Sequence, residues 1–285
     1  MPIFSPHLYA IFAFLFGALM NLGVKALDGA VPISLVLTFR FWVGFWMIYP
    51  LARRERGFYY MLKTQRVKMH MIRAISGLVT VGVFFYALPL LPLGDASALG
   101  QVYPFFLMLL SVPVLGEKIP AKQYAVCLVG LAGVLLIAQP HGTAGLWPTL
   151  LVVFGSIMAA LTDLLVRGLA KTERSLTTVL WFFMLAGFVS FAWYLIADRG
   201  FQLSYSQFGI LILVGLAGGL TQFALAESFK YLKADVMSAY SYMGLFFAVL
   251  FGFIFFAEVP TIGMLVGAGL ILSAAHWSYK ISQTP

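Results

Sequence analysis

The chain has 285 residues, 62% of them hydrophobic and 10% charged, with a mean hydropathy of +0.96 and a formal net charge of +8. A soluble domain carries roughly 45–50% apolar and about 25% charged residues, so this composition excludes an ordinary water-exposed surface. The positive balance does not indicate nucleic acid, because the basic residues flank apolar runs, where they report orientation instead.

A spanning helix needs about 20 mostly apolar residues to cross roughly 30 Å of hydrocarbon. Ten such stretches are predicted, at 8–26, 32–51, 72–90, 95–115, 121–138, 148–167, 175–197, 206–229, 234–257 and 260–279. Gly, Pro or charge clusters separate them, among them Arg53-Arg54-Glu55-Arg56 and Gln139-Pro140-His141-Gly142. The runs are continuous rather than alternating, and each is about twice the length of a tilted barrel strand, so an all-α membrane protein of ten transmembrane helices is expected. No basic leader with a cleavage site precedes the first run, which is expected to stay as a signal anchor. Cys127, the single cysteine, lies inside span five, where it reads as a small buried apolar side chain and not as a disulfide or metal ligand.

With the N-terminus placed inside, the cytoplasmic segments carry Arg53, Arg54, Arg56, Lys63, Arg66, Lys68, Arg73, Lys118, Lys122, Arg167, Lys171, Arg174, Lys230, Lys233 and Lys280. Lys25 and Arg199 alone fall outside. This bias predicts that both termini are cytoplasmic.

The two halves resemble each other. Leu19-Met20-Asn21-Leu22-Gly23-Val24-Lys25-Ala26-Leu27 in span one aligns with Leu161-Thr162-Asp163-Leu164-Leu165-Val166-Arg167-Gly168-Leu169 in span six. Asp95 and Asp235 open spans four and nine, and Glu117 and Glu258 close them. A first repeat over 1–140 and a second over 141–285 follow, each with five spans. An odd number of spans inverts the second copy in the membrane, and inverted repeats are the usual basis of alternating access to a site between them. A purely structural duplication is the competing reading.

The residues also resemble a known family, the drug/metabolite transporter superfamily, and within it the proteins with two EamA domains. The resemblance covers almost the whole chain. It is carried by Thr38-Phe39-Arg40-Phe41, Arg73-Ala74-Ile75-Ser76-Gly77, Phe84-Phe85-Tyr86-Ala87-Leu88, Asp95-Ala96-Ser97-Ala98, Tyr103-Pro104 and Leu115-Gly116-Glu117-Lys118 with Gly130 and Gly133. The pattern recurs as Phe229-Lys230-Tyr231, Tyr240-Ser241-Tyr242 and Ala257-Glu258-Val259-Pro260 with Gly263, Gly267 and Gly269. The second half has no proline at the position matching Pro104, near Tyr242, a variant closer to the branch of S-adenosylmethionine and riboflavin carriers than to the aromatic amino acid exporters. The resemblance implies secondary transport of a small metabolite across a bacterial inner membrane, through a central cavity lined by spans four, eight and nine among others.

Polar groups deep in hydrocarbon are costly and so are functional candidates. Arg40, about 12 Å into span two at 1.5 Å per residue, is a candidate anchor for a substrate carboxylate or phosphate or a member of a gating ion pair, or else a structural arginine paired with helix-end carbonyls. Gln101, Tyr103, Gln222, Tyr240 and Tyr242 are candidate substrate contacts, with Tyr86, Trp42 and Trp181 as further wall residues or simple packing. Glu227 either pairs with Lys230 three residues on or faces a vestibule. Asp163 and Arg167 share a helix face, as a local pair or as a gate or coupling site, with Asn21 as their counterpart in the first half. Glu117 and Glu258, beside Pro120 and Pro260, are expected to cap spans five and ten rather than touch substrate. Gly263 and Gly267 form a small-xxx-small pair, either an internal seam or a homodimer contact through span ten.

No metal site, nucleotide-binding loop or catalytic dyad is present in the sequence, and His7, His70, His141 and His276 are scattered, so an enzyme and a cofactor are not expected. A channel would call for filter loops or charged rings instead. The aromatic and acidic candidates lean toward a cationic or zwitterionic metabolite, amino acid-like, S-adenosylmethionine-like or a vitamin, whereas Arg40 suits an acidic group.

Overall fold

The computed structural model describes residues 5–27, 29–56, 63–87, 100, 102–138, 146–256 and 262–282. All regular structure among them is helical: α1 Pro6–Ala26, α2 Ile33–Arg56, α3 Val67–Ala87, α4 Tyr103–Leu115, α5 Ala121–Ala138, α6 Leu146–Leu169, α7 Ser175–Ala197, α8 Tyr205–Ser228, α9 Ala234–Ser241, α10 Met243–Phe256 and α11 Ile262–Ser282. Among the described residues seven stretches are long and apolar enough to cross a bilayer: α1, Ile33–Leu51, Val67–Phe84, Leu150–Leu169, α7, α8 and Ala234–Phe255. The protein is therefore a multi-pass membrane protein. Asp95, Gln101, Glu258 and Pro260 lie outside the described residues.

Local sequence explains several helix ends. Ser5 and Pro6 start α1, the serine oxygen accepting from Leu8 N–H. Ser204 and Gln207 form a reciprocal capping box at α8. Gly116, at φ 67°, ends α4 with its own N–H on Val112 O, and Glu117 N–H reaches Ser111 O. That left-handed turn fixes the direction in which Glu117 leaves the helix.

One element departs from its predicted form. The run 234–257 is two helices, α9 and α10, interrupted at Tyr242 without a proline. The Tyr242 ring is wholly buried, and a Cβ placed on Gly130 of α5 would lie 2.2 Å from it. Gly130 is thus the residue that makes room for the ring.

The chain forms two compact units, each drawing on both halves of the sequence. Residues 1–75 and 168–230 make the first, in which α8 packs on α1, α2 and α7, and α2 packs on α7. Contact between α8 and α2 is close because Gly215 and Gly219 carry no side chain. A Cβ on Gly215 would lie 2.4 Å from Val43 Cβ and 2.9 Å from the Phe39 carbonyl, and one on Gly219 would lie 2.6 Å from Met47 Cε. Small residues four apart are the usual means of bringing two helices together where hydrocarbon gives no hydrophobic drive.

Residues 76–167 and 231–285 make the second unit. There α5 packs on α11 and α4 on α9. The α3 and α6 segments meet where Thr162 donates to Ser76 Oγ (2.8 Å) and Gly155 faces Val83. Gly267 on α11 is buried within the chain.

Gly215→Ala forces a methyl group onto α2 backbone and should destabilise the protein by ~1–3 kcal/mol, the usual cost of overpacking. Gly209, with nothing within 4 Å of a built Cβ, is the matched control. Thermal unfolding in detergent should show a lower midpoint for Gly215→Ala and an unchanged or higher one for Gly209→Ala, since alanine favours helix by up to ~1 kcal/mol.

Candidate functional site

Two groups of buried polar side chains stand out among the described residues, one in each unit. In the first unit Arg40 of α2 and Arg73 of α3 are 5% and 1% exposed. Arg73 donates through one terminal nitrogen to Gln222 Oε1 of α8 at 2.8 Å, and its guanidinium lies 4.2 Å from the centroid of the Phe182 ring. The Arg40 guanidinium lies 5.4 Å from the Phe41 centroid. Phe41 and Phe182 in turn meet edge to face at 5.3 Å, so a continuous aromatic bridge joins the two cations.

Helix α8 holds the same two groups from the other side. Gly218 faces Arg40, whose Cγ is 3.2 Å from a built Cβ and whose Nε is 3.5 Å away, and Gln222 is one turn further along the same face. His70, three residues before Arg73, is also buried and stacks on Trp181 at 5.4 Å with a 22° tilt. Arg40 Nε and both His70 ring nitrogens have no hydrogen-bond partner among the described residues.

In the second unit the polar contacts tie helices together. Glu117 Oε1 accepts from Arg167 Nε at 3.2 Å, and Oε2 accepts from Ala234 N–H at 3.2 Å. The helix start that this carboxylate serves is therefore that of α9, which corrects the expectation that it caps span five. The reason is the left-handed turn at Gly116, which aims Glu117 across to α6 and α9. One turn before Arg167, Asp163 accepts the Tyr103 hydroxyl. Gln123 donates to Asp235 O at 2.8 Å.

Tyr242, expected among the substrate contacts, has its hydroxyl on Cys127 O at 3.0 Å and beside Cys127 Sγ at 3.3 Å. Cys127 is buried, and the tyrosine hydroxyl is engaged inside the α5–α9 packing. Tyr240 is also buried, whereas Tyr86 is 60% exposed and Asn21 is exposed on α1. Glu227 pairs with Lys230 at 2.6 Å. Trp42 stands edge-on to Phe45 and Phe188 and packs over Gly187. An apolar cleft of ~220 Å³ lined by Val102, Phe105, Phe106, Leu128, Leu131 and Val153 holds none of the predicted site residues.

The structure thus brings Arg40 and Gln222 together, places Tyr103, Asp163 and Arg167 in the other unit, and adds Arg73, His70 and Phe182. By sequence Arg73 reads as a basic residue at the cytoplasmic end of span three. It instead sits in the second turn of α3, which begins at Val67. The available signal was the apolar pattern of Met69, Met71 and Ile72, which extends the helix upstream of it.

Comparisons with known proteins agree with this architecture. The EamA-like transporter family matches residues 5–139 and again 146–279. The Pseudopaline exporter CntI of Pseudomonas aeruginosa (strain UCBPP-PA14) is 29% identical over 95% of this chain and 94% of its own length. The riboflavin transporter of Rhizobium johnstonii is 27% identical over 82% of this chain and 78% of its own. The S-adenosylmethionine uptake transporter of Rickettsia felis is 26% identical over 75% and 72% respectively. A solved crystal structure with 19% identity has the same fold, with a TM-score of 0.84 over 98% of both chains.

Glu117→Ala removes a partner of a largely buried arginine and the cap of α9. It should cost ~1–3 kcal/mol in thermal unfolding, the usual effect of losing charge-assisted hydrogen bonds between largely buried groups. An unchanged midpoint would mean that the two contacts carry no stability.

Proposed function

Because the chain belongs to the EamA-like transporter family, we propose that it is a secondary transporter that moves a small polar or amphipathic metabolite across the bacterial inner membrane by alternating access. It does so with ten spans arranged as two inverted five-helix repeats, 1–140 and 141–285, with both termini cytoplasmic. The family is one of transporters, not enzymes.

The helix pairing carries this reading. Matching the halves in order sets α1 with α6, α2 with α7, α3 with α8, α4 with α9 and α10, and α5 with α11. Exchanging the halves turns the α1–α8 contact into the α6–α3 contact, and both occur. The pairs α2–α7, α4–α9 and α5–α11 map onto themselves. Contacts that recur under that exchange are what a two-fold relation between repeats predicts. The interruption at Tyr242 adds to it, since α4 begins at Tyr103, the matching point of the first half. Five spans per half supports the inversion, and inverted halves can exchange conformations to open a site first to one side and then to the other.

The printed activities of the relatives, export of pseudopaline and transport of riboflavin and S-adenosylmethionine, support metabolites of this size and polarity as cargo. A homodimer through span ten is the proposed assembly.

Purified protein in liposomes preloaded with unlabelled metabolite should show saturable counterflow of the labelled compound for at least one of S-adenosylmethionine, riboflavin and the amino acids. A flux that rises linearly with concentration and shows no counterflow would point to a channel. Single cysteines added at either terminus of a Cys127→Ser protein should be labelled by an impermeant reagent only from the cytoplasmic side.

A further inference from the structure

The segments that lead into α3 and α7 form a basic surface in the first unit. Thr64 Oγ1 donates to Glu173 Oε1 at 2.6 Å and accepts the Arg66 N–H at 2.9 Å, so residues 63–68 and 171–174 are held side by side. That tie brings Lys63, Arg66, Lys68 and Lys171 into one neighbourhood. All four are exposed, and none pairs with a carboxylate among the described residues. Glu173, engaged by Thr64, is the one carboxylate on either segment.

The two helix starts add charge of the same sign. Neither α3 nor α7 has an acidic residue in its first turn, and Arg174 occupies the N-cap of α7 without a side-chain hydrogen bond to the turn that follows. Ser175, the first residue of α7, is 3% exposed, and its Oγ has no partner among the described residues. A helix start carries partial positive charge and unmet N–H groups, so these ends reinforce the cations and favour an anion. Basic residues at one face also orient a membrane protein, but orientation asks only for their number. It does not ask that they be gathered around two helix starts, nor that they stay unpaired, as Arg167 and Lys230 do not.

We propose that this surface binds the headgroup of an anionic phospholipid. Its place favours a lipid over a soluble anion. Spanning stretches begin at Val67 and Ser175, so the residues just before them stand at headgroup level. There the lysines and Arg66 supply charge-assisted hydrogen bonds to phosphate oxygens, and Ser175 Oγ is a further donor at the same helix start. The site is independent of which compound the chain transports.

The test is a thermal-shift titration of the full-length protein in neutral detergent with phosphatidylglycerol, against phosphatidylcholine and glycerol phosphate. Phosphatidylglycerol should raise the midpoint, phosphatidylcholine should not, and the shift should shrink as salt rises from about 0.1 to about 0.5 M. Lys63→Gln, Arg66→Gln, Lys68→Gln and Lys171→Gln should each weaken binding about fivefold, the usual attraction of an anionic lipid surface for one cation, and together should remove the shift. Thr64→Val removes the tie but no charge and should also weaken binding. Lys118→Gln with Lys122→Gln, two exposed cations at the start of α5 in the second unit, is the matched control and should leave the shift unchanged. The midpoint of each lipid-free variant reports its folding and should stay near that of the parent, since the substituted lysines and arginine are exposed. A control pair that loses as much as the four site substitutions reduces the effect to diffuse charge and overturns the site. Equal shifts with both lipids, or none with phosphatidylglycerol, overturn the anionic headgroup. A full response to glycerol phosphate overturns the lipid assignment in favour of a soluble phosphate.

Discussion

Hydrocarbon offers no hydrogen-bond partner, and every feature of this chain answers to that constraint. Backbone groups can be satisfied only within helices, which is why the apolar runs take no other regular form. Side-chain polar groups must find each other inside the protein, and they do so mostly between elements distant in sequence. Glu117 holds Arg167 and the first turn of α9, Tyr103 holds Asp163, and Arg73 holds Gln222. Because lipid tails are as apolar as leucine, helices gain little simply by touching. Close approach at glycine and polar ties therefore decide which helices pair. The Gly215 and Gly219 face of α8 sets the first unit in this way, and the Glu117 junction sets the second.

Much of the fold was legible in the sequence for the same reason. A helix that has to cross about 30 Å announces itself by length and composition, so each predicted segment coincides with helix among the described residues, seven of them over a stretch long enough to span. Interior detail was less legible. Hydropathy cannot distinguish an arginine that flanks a helix from one in its second turn: an apolar run counted from Ile72 puts Arg73 at the cytoplasmic end of span three, whereas the helix begins at Val67. A carboxylate next to a proline suggests a cap on the helix that follows. Glu117 instead serves α9, because the direction of the chain at Gly116 is a backbone dihedral that hydropathy does not encode. Tyr242 carries a polar atom at mid-span and so read as a cavity residue. Only the three-dimensional neighbourhood of Gly130 and Cys127 shows that its hydroxyl is used internally.

The interruption at Tyr242 has a similar lesson. In the first half a helix starts at Tyr103 with proline in its first turn, and in the second half a helix starts just after Tyr242 with none. A missing proline removes one cause of the break but not the break itself. The Tyr242 hydroxyl, bonded to the Cys127 carbonyl, ties this point to α5 through a side chain rather than a ring constraint. Discontinuous helices are where membrane transporters expose backbone groups to cargo and ions. The break at Tyr242 thus rests on backbone shape and side-chain packing rather than on a proline.

The same distinction between filling a need and leaving it open separates the two units. An arginine at the centre of a bilayer costs at least ~2.5–3.5 kcal/mol on insertion scales, so a chain that retains one without function would be expected to neutralise it. Arg167 follows that rule, with a carboxylate 3.2 Å away. Arg40 pairs with no carboxylate among the described residues: its guanidinium lies beside the Phe41 ring and its stem against Gly218. A cation resting on a ring gains ~0.5–2 kcal/mol, enough to lower the cost of burial without consuming any N–H group. An acid in place of Phe41 would lower that cost further but would occupy the fork. Aromatic support therefore suits a cation kept in readiness, and acidic support suits a structural one. By that criterion Arg40 of the first unit is the stronger candidate for a site, and the second unit carries ties that hold its helices together.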